Sequence, residues 1–495
     1  MILLLLILTI ITGIYFLNLN YQYWKKRGVP GPKPKFFVGN MLENFLVKKS
    51  PAEVFADIYR QYENAPLVGI FRGFSPALLI RDPELIRDIT VKSFQQFHDN
   101  DLFLDKDVDP LLGRNPFFAK GDEWKTHRTV ATPGFTSGKM KTIYPLLEHV
   151  SQEFIKYVEK VTKNGACHVK NVCMRFTLNN VGSCAFGIEA KCFEEENNEF
   201  KQIADRFFAP EDWQNIKVFI ISILPFLAKL ISIKFTPKDV EEKLTNIVVQ
   251  ILKYREDNNI VRNDFLQILH QIKKKDPNFT NVDITAHAAG FFGDGYETSS
   301  IVMHFILYAL ASNPQTQSKL REEVTKAFEE NHDSLPYEEL QKLQYLDAVF
   351  NEALRLYPPL GALIKVCTKP YTYTPKNGEK PFVIEPETRV ILPLIALHRD
   401  PKYFEEPDSF KPERFLVKEN ITKYTFMPFG EGPRACLVIL GQRFGTLQVK
   451  VGVAYVIKNF EISVNERTKL PLEFEPTYFL VLPKDPIWLD FKKIV

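Results

Sequence analysis

The sequence predicts one large, mainly α domain with a minor β part, held behind an N-terminal membrane anchor. Three observations lead there. Met1 to Leu17 are apolar except for Thr9, Thr12 and Gly13, and no charge appears before Lys25. Apolar residues recur with helical spacing over approximately 140–165, 236–275, 283–312, 314–330 and 338–357. Strand-like runs are short, and no repeat or low-complexity linker divides the 495-residue chain, whose 45% hydrophobic content is enough to bury a large core.

Taken in order, the apolar run extended by Asn18 to Asn20 is about long enough to span a bilayer. A cleaved signal peptide needs a basic stretch before the apolar run and small residues after it, and neither is present, so 1–20 is expected to be an uncleaved transmembrane anchor. Lys25, Lys26 and Arg27 follow directly and place the body on the cytoplasmic face. Gly28-Val-Pro-Gly-Pro-Lys-Pro34 makes 21–35 a stiff, extended hinge, and the domain proper is 36–495. Leu67-Val-Gly-Ile-Phe and Ala77-Leu-Leu-Ile are strand candidates, helices dominate after about residue 120, and strand-like segments return at 363–395 and 470–492. Phe219 to Ile233 is a second apolar stretch. Pro225 and Lys229 interrupt it, leaving a core helix and a segment dipping into the membrane surface as equal readings.

Composition excludes several classes. A net charge of +3 over 63 basic and 60 acidic residues gives no footprint for nucleic acid. Six cysteines without a C-x-x-C pair form no dense disulfide framework, and most are expected in the core. Asn278-Phe-Thr and Asn420-Ile-Thr match the glycosylation pattern but face the wrong compartment. No H-x-x-x-H or H-E-x-x-H pair supports a zinc hydrolase, and His398 is expected to stabilise a turn. With no G-x-G-x-x-G or P-loop, electrons for any redox step come from another protein.

Four clusters carry chemistry. In Phe429-Gly-Glu-Gly-Pro-Arg-Ala-Cys436, Gly430 and Gly432 permit a tight turn, Pro433 stiffens it, and Arg434 sits two residues before a sulfur able to ligate iron as thiolate. Taken alone, Cys436 reads more readily as a buried small core residue than as a ligand. In Ala289-Gly-Phe-Phe-Gly-Asp-Gly-Tyr-Glu-Thr-Ser-Ser300, three glycines each weaken a helix by about 1 kcal/mol against alanine, which close approach of something flat would explain; tight helix packing is the plainer reading. Thr298 can bond back to a carbonyl one turn earlier, and Glu297 beside it can pass protons. Glu352-Ala-Leu-Arg355 places opposite charges one turn apart, and Trp124-Lys-Thr-His-Arg128 puts an indole and a guanidinium on one helix face.

Together these resemble the cytochrome P-450 family, the haem-thiolate monooxygenases, in its F-G-x-G-x-R-x-C loop, its oxygen-activating helix, its E-x-x-R pair and its P-E-R-F stretch at Pro412 to Phe415. The F-F-x-x-G-x-E-T-S-S order is similar to insect microsomal members. The resemblance implies haem b (iron protoporphyrin IX) as cofactor and Cys436 as its metal ligand in a loop opened by Phe429. It implies Trp124, Arg128, Arg434 and Lys365 as propionate partners, Thr298 and Glu297 as the catalytic proton pair, and Glu352, Arg355 and Arg414 as a structural ion network. It further implies O2 and a hydrophobic small molecule as substrates, an NADPH-dependent flavoprotein reductase and cytochrome b5 as partners, and the endoplasmic reticulum membrane as location. Pocket-lining stretches would be Phe97 to Phe118, the segment after Arg206, Ala362 to Val366 and Thr477 to Phe479.

Two departures stand out. Asp294 occupies a position where the family carries Ala or Gly, so an acid either lines the pocket or turns away from it. After Cys436 the family continues C-x-G-x-R-F, whereas Gly441 here lies five residues on, as if Val438 to Leu440 were inserted. Three residues turn a helix by about 300°, so the following helix shifts register or absorbs a bulge. That insertion supports one alternative, a non-catalytic membrane-anchored binding protein; the other is a haem-thiolate isomerase or dehydratase, which would need no reductase.

Overall fold

The computed structural model describes residues 8, 12, 14–163, 165–208, 234–376, 378, 380–436 and 441–494. Most of the expected anchor, the Phe219 to Ile233 stretch and Val438 to Leu440 lie outside them. Among the described residues no helix is long and apolar enough to cross a membrane.

The helices of ten or more residues are α1 (Pro51–Gln61), α2 (Gly121–Ala131), α3 (Ser137–Thr162), α4 (Val169–Val181), α5 (Glu199–Phe208), α6 (Lys238–Asp257), α7 (Phe265–Lys275), α8 (Asn281–Ser312), α9 (Pro314–Glu330), α10 (Gln344–Leu356) and α11 (Gly441–Asn459). The strands are β1 (Leu67–Arg72), β2 (Ser75–Ile80), β3 (Asp99–Asn100), β4 (Cys167–His168), β5 (Leu363–Val366), β6 (Tyr371–Tyr373), β7 (Phe382–Ile384), β8 (Arg389–Leu392), β9 (Phe460–Val464) and β10 (Trp488–Lys493). A mainly α body with a minor β part is thus what the chain forms.

Helix α8 runs through the middle. Its Thr280/Asp283 capping box fixes the start, and its residues are buried on nearly every side, as the even apolar content of its sequence demands. It packs on α4 and α11. Beside this helical core lies a five-stranded sheet in the order β1-β2-β8-β5-β3, with β2 and β8 parallel and the other pairs antiparallel. Smaller sheets join β4-β10-β9 and β6-β7.

Two helical expectations divide. The 236–275 stretch breaks into α6 and α7, because Asp264 caps α7 by accepting from the Gln267 N–H at 2.9 Å, in extended backbone. The 338–357 stretch splits into Tyr337–Leu340 and α10. Of 470–492 only β10 becomes a strand, since Pro471, Pro476, Pro483 and Pro486 remove ladder donors.

The hinge is fastened to the sheet. Trp24 is buried, its indole donates to the Ile70 carbonyl at 2.9 Å, and the Gly69 N–H donates to Pro30 at 2.8 Å. Only glycine fits at 69, where a Cβ would come within 2.4 Å of the Trp24 ring. Segment 21–35 therefore sets a defined attitude of the body relative to whatever precedes it.

Asp101, just after β3, ties three strands together: it pairs with Arg72 of β1 and, at 3.0 Å, with Arg389 of β8. Burial alone would raise its pKa, but the two guanidinium groups overcome that and hold it below the ordinary carboxylate range. A depressed folded pKa means the stabilisation is full above the unfolded carboxylate value and is lost as pH falls through the lower folded one. Asp101→Asn is expected to cost about 3–5 kcal/mol in urea unfolding at neutral pH, and to flatten the acid limb of the stability curve.

Candidate functional site

The cysteine loop rests on a buried ion network. Glu352 and Arg355 on α10 are both 0% exposed and form a double bond pair, Nε to Oε2 at 2.7 Å and an Nη to Oε1 at 2.8 Å. The remaining Arg355 donors reach the carbonyls of His398 (2.9 Å), Pro407 (2.6 Å) and Ser409 (3.1 Å). Glu352 also accepts from the Lys411 N–H at 2.8 Å and from Arg414 Nε at 3.3 Å. All three expected members are thus joined, and the segment leading to the loop is held by its own backbone. His398 completes the scaffold, its Nε2 accepting from the Met427 N–H at 3.0 Å.

Within the loop, the Gly430 N–H donates to Met427, the Ala435 N–H to Gly432, and the Cys436 N–H to the Phe429 carbonyl at 2.6 Å. Gly432 is left-handed (φ 74°), and a Cβ there would lie 1.9 Å from the Thr90 carbonyl, so the loop closes on its neighbour only with glycine. Phe429 stacks on Phe350 of α10, with centroids 6.5 Å apart.

Of the six free cysteines five are buried and only Cys436 is accessible. Protein nevertheless surrounds its thiol, as it surrounds the accessible Asp294 on α8, so the surface of both belongs to an internal cleft. Burial and then the Asp294 charge push the Cys436 thiol up to about 12, against the pull of Arg128. It is a neutral thiol until a metal displaces its proton.

Cations crowd the same region. Trp124 and Arg128 on α2 present the indole 5.4 Å below the Arg128 guanidinium, and Arg434 covers the same ring at 4.9 Å. Arg434 donates to the carbonyls of His98 (2.8 Å), Pro116 (3.2 Å) and Ala119. Lys365 of β5 is 5% exposed and donates to Asn100 Oδ1 at 2.8 Å. Burial, then Arg434, drives its ammonium down to about 7, with Arg128 adding to the fall and Asp99 opposing it. Asp99, 3.8 Å from Arg434, is the one carboxylate among the described residues that acts on Lys365. The four residues expected to bind propionates are therefore assembled, three cations against one acid. That imbalance suits a ligand with two carboxylates, and the accessible thiol in the adjoining cleft suits its metal: the donor set fits haem.

The oxygen-activating pair separates. Thr298 Oγ1 donates to the Asp294 carbonyl at 2.6 Å, one turn earlier as expected. Glu297 is 1% exposed and is held by Lys170 of α4 at 3.4 Å and by the Tyr478 hydroxyl at 3.2 Å. It is Asp294, not Glu297, whose charge acts on the Cys436 thiol. Asp99, Asn100 and Tyr478 fall in stretches expected to line the pocket but carry no motif of their own, and for Lys170 the sequence offered no signal. Whether α11 absorbs an insertion after Cys436 falls on residues outside those described.

A lysine whose folded pKa lies below its unfolded value binds fewer protons when folded, so stability rises with pH between the two. The haem-free chain is expected to gain stability from about pH 7 to about pH 10 through Lys365, and Lys365→Met to lack that gain. Urea unfolding of both chains across this range checks it.

Comparison with known proteins agrees with this geometry. The cytochrome P-450 family model matches residues 29–491. The chain is 35% identical to the probable cytochrome P-450 28a5 of Drosophila melanogaster, over 99% of each chain. It is 34% identical to cytochrome P-450 6j1 of Blattella germanica, over 97% of this chain and 95% of that one. With cytochrome P-450 6a8 of Drosophila melanogaster the identity is 35%, over 97% and 96%. With the thiol, its cation set and the ion network all in place, and a match running nearly end to end, the chain belongs to the cytochrome P-450 family.

Proposed function

We propose that the protein is a membrane-bound monooxygenase that places one atom of O2 in a hydrophobic substrate and releases the other as water, using two electrons that an NADPH-dependent flavoprotein reductase supplies. The observation that carries this reading is the accessible Cys436 thiol in a cleft bordered by Arg128, Arg434 and Lys365. Cys436 would ligate the iron of haem b, and Trp124, Arg128, Arg434 and Lys365 would hold its propionates. When bound, the haem iron supplies the oxygen chemistry, with the thiolate donating electron density.

The chain's own groups manage protons and water. Thr298 keeps a hydroxyl proton at Oγ1 in the weakened stretch of α8 between Gly293 and Ser299. Glu297 Oε1 meets the Lys170 ammonium and accepts from the Tyr478 hydroxyl, two donors that hold the carboxylate in place to take up a proton and release it again. Buried Phe291 of α8 and Phe444 of α11 pack against each other and exclude bulk water. Residues 1–20 would anchor the chain in the endoplasmic reticulum membrane, with domain 36–495 on the cytoplasmic face and cytochrome b5 as a second electron donor.

The reduced carbon monoxide difference spectrum of the expressed full chain tests the reading, which falls if the folded protein gives no thiolate-type band. Cys436→Ala is expected to abolish that band. Thr298→Ala is expected to keep it, but to lower product formed per NADPH consumed by about tenfold or more, the missing yield appearing as peroxide. An unchanged yield would remove Thr298 from the mechanism.

A further inference from the structure

Asp294 is an unusual carboxylate for this protein. Among the described residues, half-buried Asp101 and buried Asp264, Asp400, Glu297 and Glu352 each face a cation: Arg72 and Arg389, Arg255, Arg81, Lys170 and Arg355. Asp109, buried without one, accepts from Leu112, from Phe235 and twice from Thr236. Among the described residues Asp294 has a single hydrogen bond, Oδ2 accepting from Asn115 Nδ2 at 3.0 Å, and no cation acts on it. Asn115 is itself fixed, its Oδ1 accepting from the Phe117 N–H at 2.8 Å, so the amide braces the carboxylate without neutralising it.

An acid surrounded by protein and left without a counter-ion is costly unless a ligand supplies the charge. The walls suit a particular ligand. Half-buried Phe207 and Phe208 of α5 lie against Gly293, 3.4 and 3.5 Å from where a Cβ would stand, and half-buried Phe117 and Phe118 follow Asn115. Aromatic rings packed against the residue before an accessible carboxylate favour an organic cation over a metal ion, because aromatic rings take up the charge of a large, weakly hydrated group.

We infer that Asp294, braced by Asn115, is the specificity-determining residue of the cleft and selects apolar substrates bearing a positively charged amine. The inference rests on the monooxygenase reading only in treating the cleft as the substrate site. Asp294 lies one turn before Thr298 on α8, and its carbonyl accepts from the Thr298 hydroxyl, so a cation seated there brings the neighbouring carbon chain beside Thr298.

The test titrates the purified full-length haem protein with octyltrimethylammonium and with its uncharged isostere 2,2-dimethyldecane, following binding by calorimetry and by haem absorption. The quaternary cation has no lone pair to offer iron, so its affinity reports the protein wall. The cation is expected to bind about tenfold tighter than the hydrocarbon at low salt. Asp294→Asn, which keeps the shape, is expected to bring the two within about twofold, and Asp294→Glu to retain the preference. Equal affinities in the unaltered protein overturn the inference whether or not the variants fold, as does a preference that survives Asp294→Asn. A cation preference seen by calorimetry in a chain lacking the thiolate-type carbonyl band would support this inference while the monooxygenase reading failed.

Discussion

Glu352 and Arg355 lie in a place no water reaches, where a lone charge would cost several kcal/mol. The pair is tolerable only because every polar atom of both groups has a partner, and those partners are the backbone of 398–411 and Arg414. Helix α10 and the approach to the cysteine loop are thereby one mechanical unit. The position of Cys436 then follows from local turns: Met427 is pinned by His398, Gly430 by Met427, and Cys436 by Phe429. A thiol proposed to ligate a metal is in this way positioned by an ion pair remote from it.

The same logic inverts at the other wall of the cleft. Arg128, Arg434 and Lys365 are brought together with too little opposing charge, and Lys365, through burial first and then these neighbours, gives up part of its affinity for its proton. A fold does not gather cations for its own stability. The repulsion makes the haem-free cleft poorer and the loaded one better, so a ligand with two carboxylates gains affinity from strain that the empty protein carries.

Much of this was legible in the sequence, and the residues show why. The long helices announced themselves because their apolar spacing and caps are local properties: α8 begins at Thr280 and α9 at Pro314 where the side chains prescribe. The cysteine loop, the E-x-x-R pair and Trp124 with Arg128 were legible because each is a short stretch with a fixed spacing. Illegible were contacts between remote segments. Nothing near Asp99 says that it meets Arg434, 335 positions on, and nothing near Lys170 says that it meets Glu297. The hinge was half legible, since prolines give stiffness but not the Trp24 contact under Gly69 that fastens it.

Helix α8 finally shows why composition alone misassigns acids. Asp294 and Glu297 lie three residues apart, little more than 60° off one face, yet their surroundings differ entirely. Glu297 meets Lys170 and Tyr478 and is held as a charge that another charge already balances. Asp294 meets one neutral amide, and burial lifts it to about 6, within reach of a change in occupancy of the cleft. Two carboxylates on one helix thus divide the work that a single motif position suggests: the one in the motif is tied to the protein, and the one outside it is left for whatever enters.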